Sequence, residues 1–261
     1  MVNYSALLER TVEVARAAGD IIARAWDAPR AARHKGKIDL VTETDIAVQA
    51  FLKEQLRPVA PGADFVGEEG EDNKNVDQSL TWIVDPVDGT TNFVHRLPFV
   101  AVSIALAQCG KPVLGVVFAP KTGECFSAAK GEGAFLNDRA IAVSEVRELT
   151  DAVVATGFPY DVDPSLDEIL SRLARVLPKT QGLRRFGSAA LDLCYAACGR
   201  IDIYYEAILK PWDMAAGWLI VEEAGGKVTA LDGTEARAGG PVLASNGHLH
   251  EKALDMLNLN L

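Results

Sequence analysis

One stretch near the middle of the chain constrains the fold more than any other. Residues 81–84 form an apolar run typical of a buried strand, and Asp85 follows directly. A proline then stiffens the turn, so that Asp85 and Asp88 can converge on one side of a tight loop. Gly89 permits a close approach to the backbone, and a helix can begin at Thr90. The chain therefore has to bury a strand whose end presents two carboxylates beside free backbone N–H groups.

The elements around this strand predict a protein with two differently built halves. Helical spacing of apolar residues predicts helices at residues 7–25 and 46–56, and short apolar runs over residues 81–136 predict an antiparallel sheet. After residue 150, predicted strands and helices alternate, which is typical of an α/β layer. We therefore expect an α+β half over residues 1–150 and an α/β half over residues 151–261.

Composition limits the partners and the compartment. The 261 residues carry a net charge of −10, which argues against nucleic acid as a partner, because phosphate backbones attract clustered Lys and Arg. Charges interrupt the apolar N-terminal segment, and no apolar stretch approaches the roughly 18 residues of a membrane span, so we expect no signal peptide and no membrane association. The four cysteines form no CxxC pair, and we expect reduced thiols in a cytoplasmic protein.

Two carboxylates beside a helix start favour a site for a metal-bound phosphate. Mg²⁺ is a hard cation that prefers oxygen ligands, and free N–H groups at a helix start can bind phosphate oxygens. The alternative is that Asp85 and Asp88 are capping residues, because aspartates after strands commonly close turns and helix ends. The strand before the pair and the threonines after it favour the site.

Three further acidic segments offer ligands for the same site. Glu68 and Glu69 follow a short apolar run between glycines, although adjacent acids in a loop are usually only solvated. Asp213 stands at or near the start of a predicted helix, where it is a capping residue, a ligand or both. Asp39 and Asp45 flank a segment that predicts a strand running into a capped helix, in which both acids can be purely structural.

Taken in order, these segments resemble the inositol monophosphatase family. The resemblance rests on residues 67–69, 85–93, 212–217 and 223–226. It spans about residues 5–250, and the combination is specific although each piece alone is not. The resemblance implies a layered αβαβα sandwich, an α+β and α/β architecture of the inositol monophosphatase and fructose-1,6-bisphosphatase type.

The resemblance also implies a phosphatase that depends on two or three Mg²⁺ ions. The ligands it implies are Glu68, Asp85 and the backbone carbonyl of Val87 for the first ion, Asp85, Asp88 and Asp213 for the second, and Glu68 and Glu69 for a weaker third. Metal coordination lowers the pKa of a bound water and produces a hydroxide nucleophile. Hydrolysis by a metal-activated water is therefore the expected reaction.

The resemblance assigns the water and the alcohol to further residues. Glu68 and Thr90 would orient the attacking water, with Asp45 polarising Thr90 through a hydrogen bond. The substrate-binding residues that it implies are Asp88, Gly89, Thr90, Gly187, Ser188, Ala189, Glu206 and Asp213. Glu206 favours an inositol-like diol, because a carboxylate can accept two hydroxyl hydrogens; the alternative is an exposed acid at a strand end.

Basic residues near these segments stay undecided. Arg184 and Arg185 either bind a second phosphate or lie on the surface. Members of the family often place a lysine upstream of the position of Asp39, and Lys35 is the preferred match over two neighbouring basic residues.

The metal-binding segments handle the phosphate and not the alcohol, so the ester stays open. The first choice is myo-inositol monophosphate, and the alternatives are fructose-1,6-bisphosphatase, histidinol-phosphate phosphatase or nucleotide 3′-phosphatase activity. The resemblance also admits a function of another class, a regulatory protein that binds transcription machinery. It further implies a homodimer and inhibition by lithium, which would displace a weakly held Mg²⁺.

Overall fold

The computed structural model describes residues 4–27, 32–34, 40–70 and 80–258. The helices are α1 (Tyr4–Ala25), α2 (Glu43–Leu56), α3 (Thr90–His95), α4 (Leu166–Val176), α5 (Ala189–Ala197), α6 (Pro211–Glu223) and α7 (His250–Asn258). The strands are β1 (Ala32–His34), β2 (Leu40–Thr42), β3 (Asp64–Gly67), β4 (Leu80–Asp88), β5 (Ala101–Gln108), β6 (Lys111–Ala119), β7 (Glu124–Ala129), β8 (Ala134–Leu136), β9 (Arg139–Ile141), β10 (Val153–Thr156), β11 (Gly182–Arg184), β12 (Ile203–Leu209), β13 (Lys227–Thr229) and β14 (Gly240–Ser245).

Two sheets organise these strands, and β1 and β2 form a separate antiparallel pair. The first sheet has the order β3-β4-β5-β6-β7-β8-β9, and the second has the order β11-β10-β12-β14-β13. The antiparallel sheet predicted for residues 81–136 is present, and β3 adds a parallel strand that the sequence did not predict. In the second sheet, β10 runs parallel to β11 and β12, whereas β14 is antiparallel to both of its neighbours.

Helices and sheets alternate in five layers. Alternate residues of β4 show this directly, because Trp82 and Val84 join a core with α1 and α2, whereas Ile83 joins a core with α5 and α6. The core that contains α5 and α6 also includes buried residues of the second sheet, such as Tyr204. The opposite face of that sheet packs against α7 and the end of α4. The predicted αβαβα sandwich is therefore confirmed.

The helices α2 and α6 begin earlier than the sequence predicted, because their first turns are capped. Thr42 caps α2, with its side chain accepting a hydrogen bond from the N–H of Thr44, while Asp45 accepts one from the N–H of Thr42. Asp213 lies in the first turn of α6, three residues after Lys210, and accepts a hydrogen bond from the Lys210 N–H. Within the described residues, no helix is both long and apolar enough to cross a membrane.

The two sheets occupy separate stretches of the chain. The first lies within residues 64–141 and the second within residues 153–245. Their shared core around α5 and α6 joins the two halves through a continuous set of buried side chains. The division at residue 150 stays a prediction.

Candidate active site

A cavity of about 410 Å³ brings together most of the acidic residues that the sequence singled out. Four of its acids are named here the acidic wall: Glu68, Asp85, Asp88 and Asp213. Three buried residues of α5 and β12 are named here the α5–β12 cluster: Asp192, Tyr204 and Glu206. The other predicted site residues that line the cavity are Val87, Gly89, Thr90, Gly187, Ser188 and Ala189.

Asp85 and Asp88 come from the last part of β4, where the pairing with β5 is irregular. Asp85 lies opposite Ser103 and Asp88 opposite Ala101, so β4 accommodates one extra residue between them. The Asp85 carboxylate accepts a hydrogen bond of 2.9 Å from the N–H of Val87, which fixes one of its oxygens. The sequence predicted a tight loop here, whereas the structure keeps the segment in the strand and presents both carboxylates to the cavity through a bulge.

Gly89 connects β4 to α3 in a conformation that other residues rarely adopt. Its φ angle is 93°, and a Cβ atom at this position would lie 2.7 Å from the carbonyl oxygen of Phe99. A larger residue would therefore be strained and would displace a neighbouring backbone segment. The helix start predicted at Thr90 is present, and both Gly89 and Thr90 line the cavity.

Asp45 and Thr90 form a buried pair beside the wall. The Thr90 Oγ1 lies 3.0 Å from the Asp45 Oδ1 and 3.1 Å from the Val87 carbonyl oxygen, so its single proton serves one acceptor at a time. The other oxygen of Asp45 accepts hydrogen bonds from the backbone N–H and the hydroxyl of Thr42. Burial raises the pKa of Asp45, and these hydrogen bonds oppose the rise. Asp45 holds Thr90 without itself lining the cavity.

Asp88 ties the end of β4 to the start of α5. Its Oδ2 accepts a hydrogen bond of 2.6 Å from the Ser188 hydroxyl and one of 2.8 Å from the N–H of Ala190. Burial raises the pKa of Asp88 to about 6, although both hydrogen bonds favour the charged form. The Ser188 hydroxyl is the N-cap of α5 and donates its proton to Asp88, so one residue fixes both the helix and the carboxylate.

Glu68 and Glu69 follow β3, and the structure separates their roles. Glu68 lines the cavity, and its N–H donates a hydrogen bond of 3.2 Å to the carbonyl of Val84 on β4. Glu69 is not among the residues that line the cavity, and its backbone N–H and carbonyl are both bonded to the side chain of Gln49. Asp39 and Lys35 lie outside the described residues.

The wall concentrates negative charge in one part of the cavity. Burial raises the pKa of Asp85 well above its ordinary value, and Glu68, Asp88 and Asp213 raise it further by repulsion. Burial likewise raises the pKa of Asp213, followed by repulsion from Asp88, Glu68 and Glu206. Within the described chain, no group of three or more His, Cys, Asp or Glu side chains forms a ready-made metal cluster. The four carboxylates nevertheless line one cavity, and carboxylate oxygens are ligands that hard cations prefer.

The α5–β12 cluster is organised by hydrogen bonds and close packing. The Tyr204 hydroxyl donates a hydrogen bond of 2.7 Å to the Glu206 Oε2. A Cβ atom on Gly157 would lie 2.0 Å from the same oxygen, so a larger residue here would require this carboxyl group to shift. Burial raises the pKa of Glu206 to about 7, and the hydrogen bond from Tyr204 and the charge of Arg185 oppose the rise. Glu206 is buried, so the alternative of an exposed acid at a strand end is wrong.

Sequence reasoning missed residues that hold the two halves of the cavity together. The Asn92 side chain donates hydrogen bonds of 2.8 Å to the carbonyls of Phe99 and Phe186, and so connects α3 to the loop before α5. Asn92 stood inside the segment of the resemblance, but its acceptors are distant in sequence. Asp192 also lines the cavity, and as an isolated acid in an apolar helix it gave no usable signal.

Comparisons with known proteins agree with this geometry. A model of the inositol monophosphatase family matches residues 3–259. Inositol monophosphatase 2 of Solanum lycopersicum is 45% identical over 257 residues, which cover 95% of this chain and 96% of that protein. The Nus factor SuhB of Escherichia coli is 40% identical over 229 residues, covering 87% and 86%. The structure of the inositol monophosphatase from Anabaena superposes with a TM-score of 0.89 at 39% identity, covering 98% of this chain and 96% of that chain.

Proposed function

The chain belongs to the inositol monophosphatase family and is a phosphoric monoester hydrolase, and we propose that its substrate is a small polyol phosphate, with myo-inositol monophosphate as the first choice. The observation that carries the proposal is the pairing of two chemistries in one cavity. The acidic wall suits a phosphate bound through cations, and Glu206 lies buried in the same cavity, where it suits hydroxyl groups. The volume of about 410 Å³ is within the range of small-molecule sites.

The donor set of the wall fits Mg²⁺, which members of this family use. Carboxylates and a backbone carbonyl are the oxygen ligands that this ion takes in proteins. We propose that two or three ions are held as the resemblance implies: by Glu68, Asp85 and Val87, by Asp85, Asp88 and Asp213, and near Glu68 and Glu69. When bound, such ions supply charge neutralisation and an acidified water. The wall's repulsion in the absence of cations supports this assignment.

The residues beside the wall are suited to hold the reacting groups in place. The Thr90 hydroxyl donates its hydrogen bond to Asp45, so its oxygen can accept a hydrogen bond from a water. Together with Glu68, it can orient that water. The N–H groups of Gly89 and Thr90 can donate hydrogen bonds to the equatorial oxygens of the phosphoryl group. These bonds would stabilise the negative charge on those oxygens. Because phosphoryl transfer depends mainly on positioning and charge stabilisation, no covalent enzyme intermediate is required.

The alcohol side of the cavity rests on Glu206 and the start of α5. One Glu206 oxygen is occupied by Tyr204, which leaves the other for a substrate hydroxyl. Gly187 and Ala189 can contribute backbone contacts, whereas the Ser188 hydroxyl is bonded to Asp88 and acts by positioning that residue. Asp88 and Asp213 would contact the alcohol as well as the metal. This arrangement favours polyol esters over the related bisphosphate and histidinol phosphate substrates.

Further properties belong to the same proposal. We expect a homodimer, whose mass in light scattering would be about twice the 28.0 kDa of one chain. We also expect inhibition by millimolar lithium and a cytoplasmic location. A mass of a single chain, or full activity in lithium, would contradict the respective expectation.

A second candidate function is regulatory, and the similarity to the Nus factor SuhB of Escherichia coli favours it. In this function the protein binds transcription machinery, and the chemistry of the cavity is dispensable. A pull-down that recovered stoichiometric polymerase with both wild type and an Asp88→Asn variant would support it.

The test is phosphate release from a panel of esters with Mg²⁺ and with EDTA. The panel holds inositol 1-phosphate, fructose 1,6-bisphosphate, histidinol phosphate and 3′-phosphoadenosine 5′-phosphate. Asp88→Asn removes one wall charge, and Asp151→Asn makes the same change on the exposed surface as a control. We expect the wild type and the control to release phosphate in Mg²⁺, fastest from inositol 1-phosphate. We expect no release by Asp88→Asn protein or in EDTA. Release that persists in EDTA or in Asp88→Asn protein would contradict the proposal.

A further inference from the structure

Asp192 is a buried acid in the cavity for which the proposed chemistry has no use. It lies in the first turns of α5, is 1% exposed, and lines the cavity together with Glu206. Its Oδ1 is out of contact with solvent and has no hydrogen-bond partner among the described residues. Buried carboxyl oxygens in native proteins are nearly always bonded, so a carboxyl group in the lining of a cavity with an unbonded oxygen is a candidate to bind a ligand.

A structural role does not account for Asp192. Asp202, another buried aspartate of similar exposure, uses both oxygens within the protein: one accepts from the Ser144 hydroxyl, and the other accepts a hydrogen bond of 2.7 Å from the Val153 N–H. The cap of α5 is supplied by Ser188, so Asp192 is not needed there either. Nothing within the described residues therefore bonds its Oδ1.

The surroundings decide which ligand chemistry fits. Burial raises the pKa of Asp192, repulsion from Asp88 and Glu206 raises it further, and the charge of Arg185 lowers it. A carboxyl group can accept a hydrogen bond from a hydroxyl group, and in its neutral form it can donate one as well.

We infer that Asp192 is a specificity-determining residue that hydrogen-bonds a hydroxyl of the alcohol part of the substrate, next to the hydroxyl taken by Glu206. The inference rests on the proposed function and deepens it. Two carboxyl groups that line the same cavity, one on α5 and one on β12, would select an alcohol with two neighbouring hydroxyls. The substrate class is therefore a vicinal polyol phosphate rather than a phosphate ester of a simple alcohol.

The experiment compares two esters in one protein set. Inositol 1-phosphate carries neighbouring hydroxyls, and 4-nitrophenyl phosphate carries none. Asp192→Leu removes the hydrogen bond at similar volume, Asp192→Asn keeps hydrogen-bonding capacity, and Asp202→Asn is the control for a buried aspartate outside the cavity. We expect Asp192→Leu to lower kcat/KM for inositol 1-phosphate about tenfold or more, mainly through KM, and to leave 4-nitrophenyl phosphate within about twofold. Asp192→Asn should retain most of the wild-type kcat/KM for inositol 1-phosphate. Asp202→Asn should leave the ratio of the kcat/KM values for the two esters unchanged.

The outcomes separate this inference from the proposed function. An equal loss for both esters in Asp192→Leu, or no loss for either, would overturn the inference while the phosphatase activity of the wild type stands. Release from neither ester by the wild type would overturn both. Should the leucine variant not fold, Asp192→Ala is compared with wild type on mono-deoxy inositol 1-phosphates. One hydroxyl should then cease to matter in the variant, and an unchanged pattern would contradict the inference.

Discussion

The acidic wall and the α5–β12 cluster are both buried groups of acids in one cavity, yet they are stabilised differently. In the wall, the carboxylates repel one another, and the pKa of Asp85 is raised by three neighbouring acids after burial. In the cluster, the Tyr204 hydroxyl donates a hydrogen bond to Glu206, and the charge of Arg185 favours the ionised form of Glu206. Under the proposed function, cations would relieve the repulsion within the wall, whereas protons and hydroxyl groups would satisfy the cluster. The difference teaches how, on that proposal, one region would bind the phosphate and the other the alcohol.

The largest expected effect comes from changing the wall itself. Asp85→Asn keeps the oxygen that accepts the hydrogen bond from Val87 but removes the charge that the wall shares. We expect kcat/KM to fall at least about 10²-fold for both inositol 1-phosphate and 4-nitrophenyl phosphate, because the wall acts on the phosphate common to both. Steady-state kinetics in Mg²⁺ measure this, with Asp151→Asn as the exposed control. A loss for only one of the two esters would break the comparison.

The next effect concerns the residue that would position the water. Thr90→Val keeps the shape of the side chain and removes the hydroxyl that is bonded to Asp45, whereas Thr90→Ser keeps the hydroxyl. We expect the valine variant to lose about 10²-fold in kcat on both esters, since general acid–base and positioning effects of one group are of this size. The serine variant should retain most of the activity. Equal losses in the two variants would show that packing, and not the hydroxyl, is what Thr90 supplies.

A smaller effect is expected where Gly157 packs against Glu206. In Gly157→Ala the new Cβ would lie 2.0 Å from the Glu206 Oε2, so this carboxyl group has to move. We expect KM for inositol 1-phosphate to rise about tenfold, from the loss of one hydrogen bond, with 4-nitrophenyl phosphate unaffected. Gly182→Ala is the control, because its Cβ meets only the flexible end of Arg184. A similar rise for both esters would mean that Gly157 supports the wall as well.

The smallest effect is a pH dependence of stability. The pKa of Glu206 rises from 4.5 to about 7 on folding, so the folded protein holds this proton more tightly than the unfolded chain. The free energy of unfolding should therefore fall as pH increases from about 4.5 to 7, by at most about 3 kcal/mol from this group. In EDTA, urea unfolding of Glu206→Gln should show a shallower fall than wild type over this window. Identical slopes would contradict the raised pKa.

The sequence predicted the wall better than the cluster because of how their residues are distributed. Asp85 and Asp88 of the wall lie within a short segment whose strand and helix start could be recognised locally. The layered fold followed from the resemblance, but the bulge of β4 depends on pairing with β5 and has no local signal. Asp192 meets Glu206 only when α5 packs on β12, and no spacing rule links residues brought together by packing.

The measurement that tests this account most directly places one wall variant and one cluster variant on the same two esters. Asp213→Asn changes the wall and Glu206→Gln changes the cluster. We predict that Asp213→Asn lowers kcat/KM for inositol 1-phosphate and for 4-nitrophenyl phosphate alike, and that Glu206→Gln lowers it for inositol 1-phosphate alone. A Glu206→Gln protein that lost both activities equally, or an Asp213→Asn protein that kept its activity on 4-nitrophenyl phosphate, would contradict the division of the cavity into a phosphate region and an alcohol region.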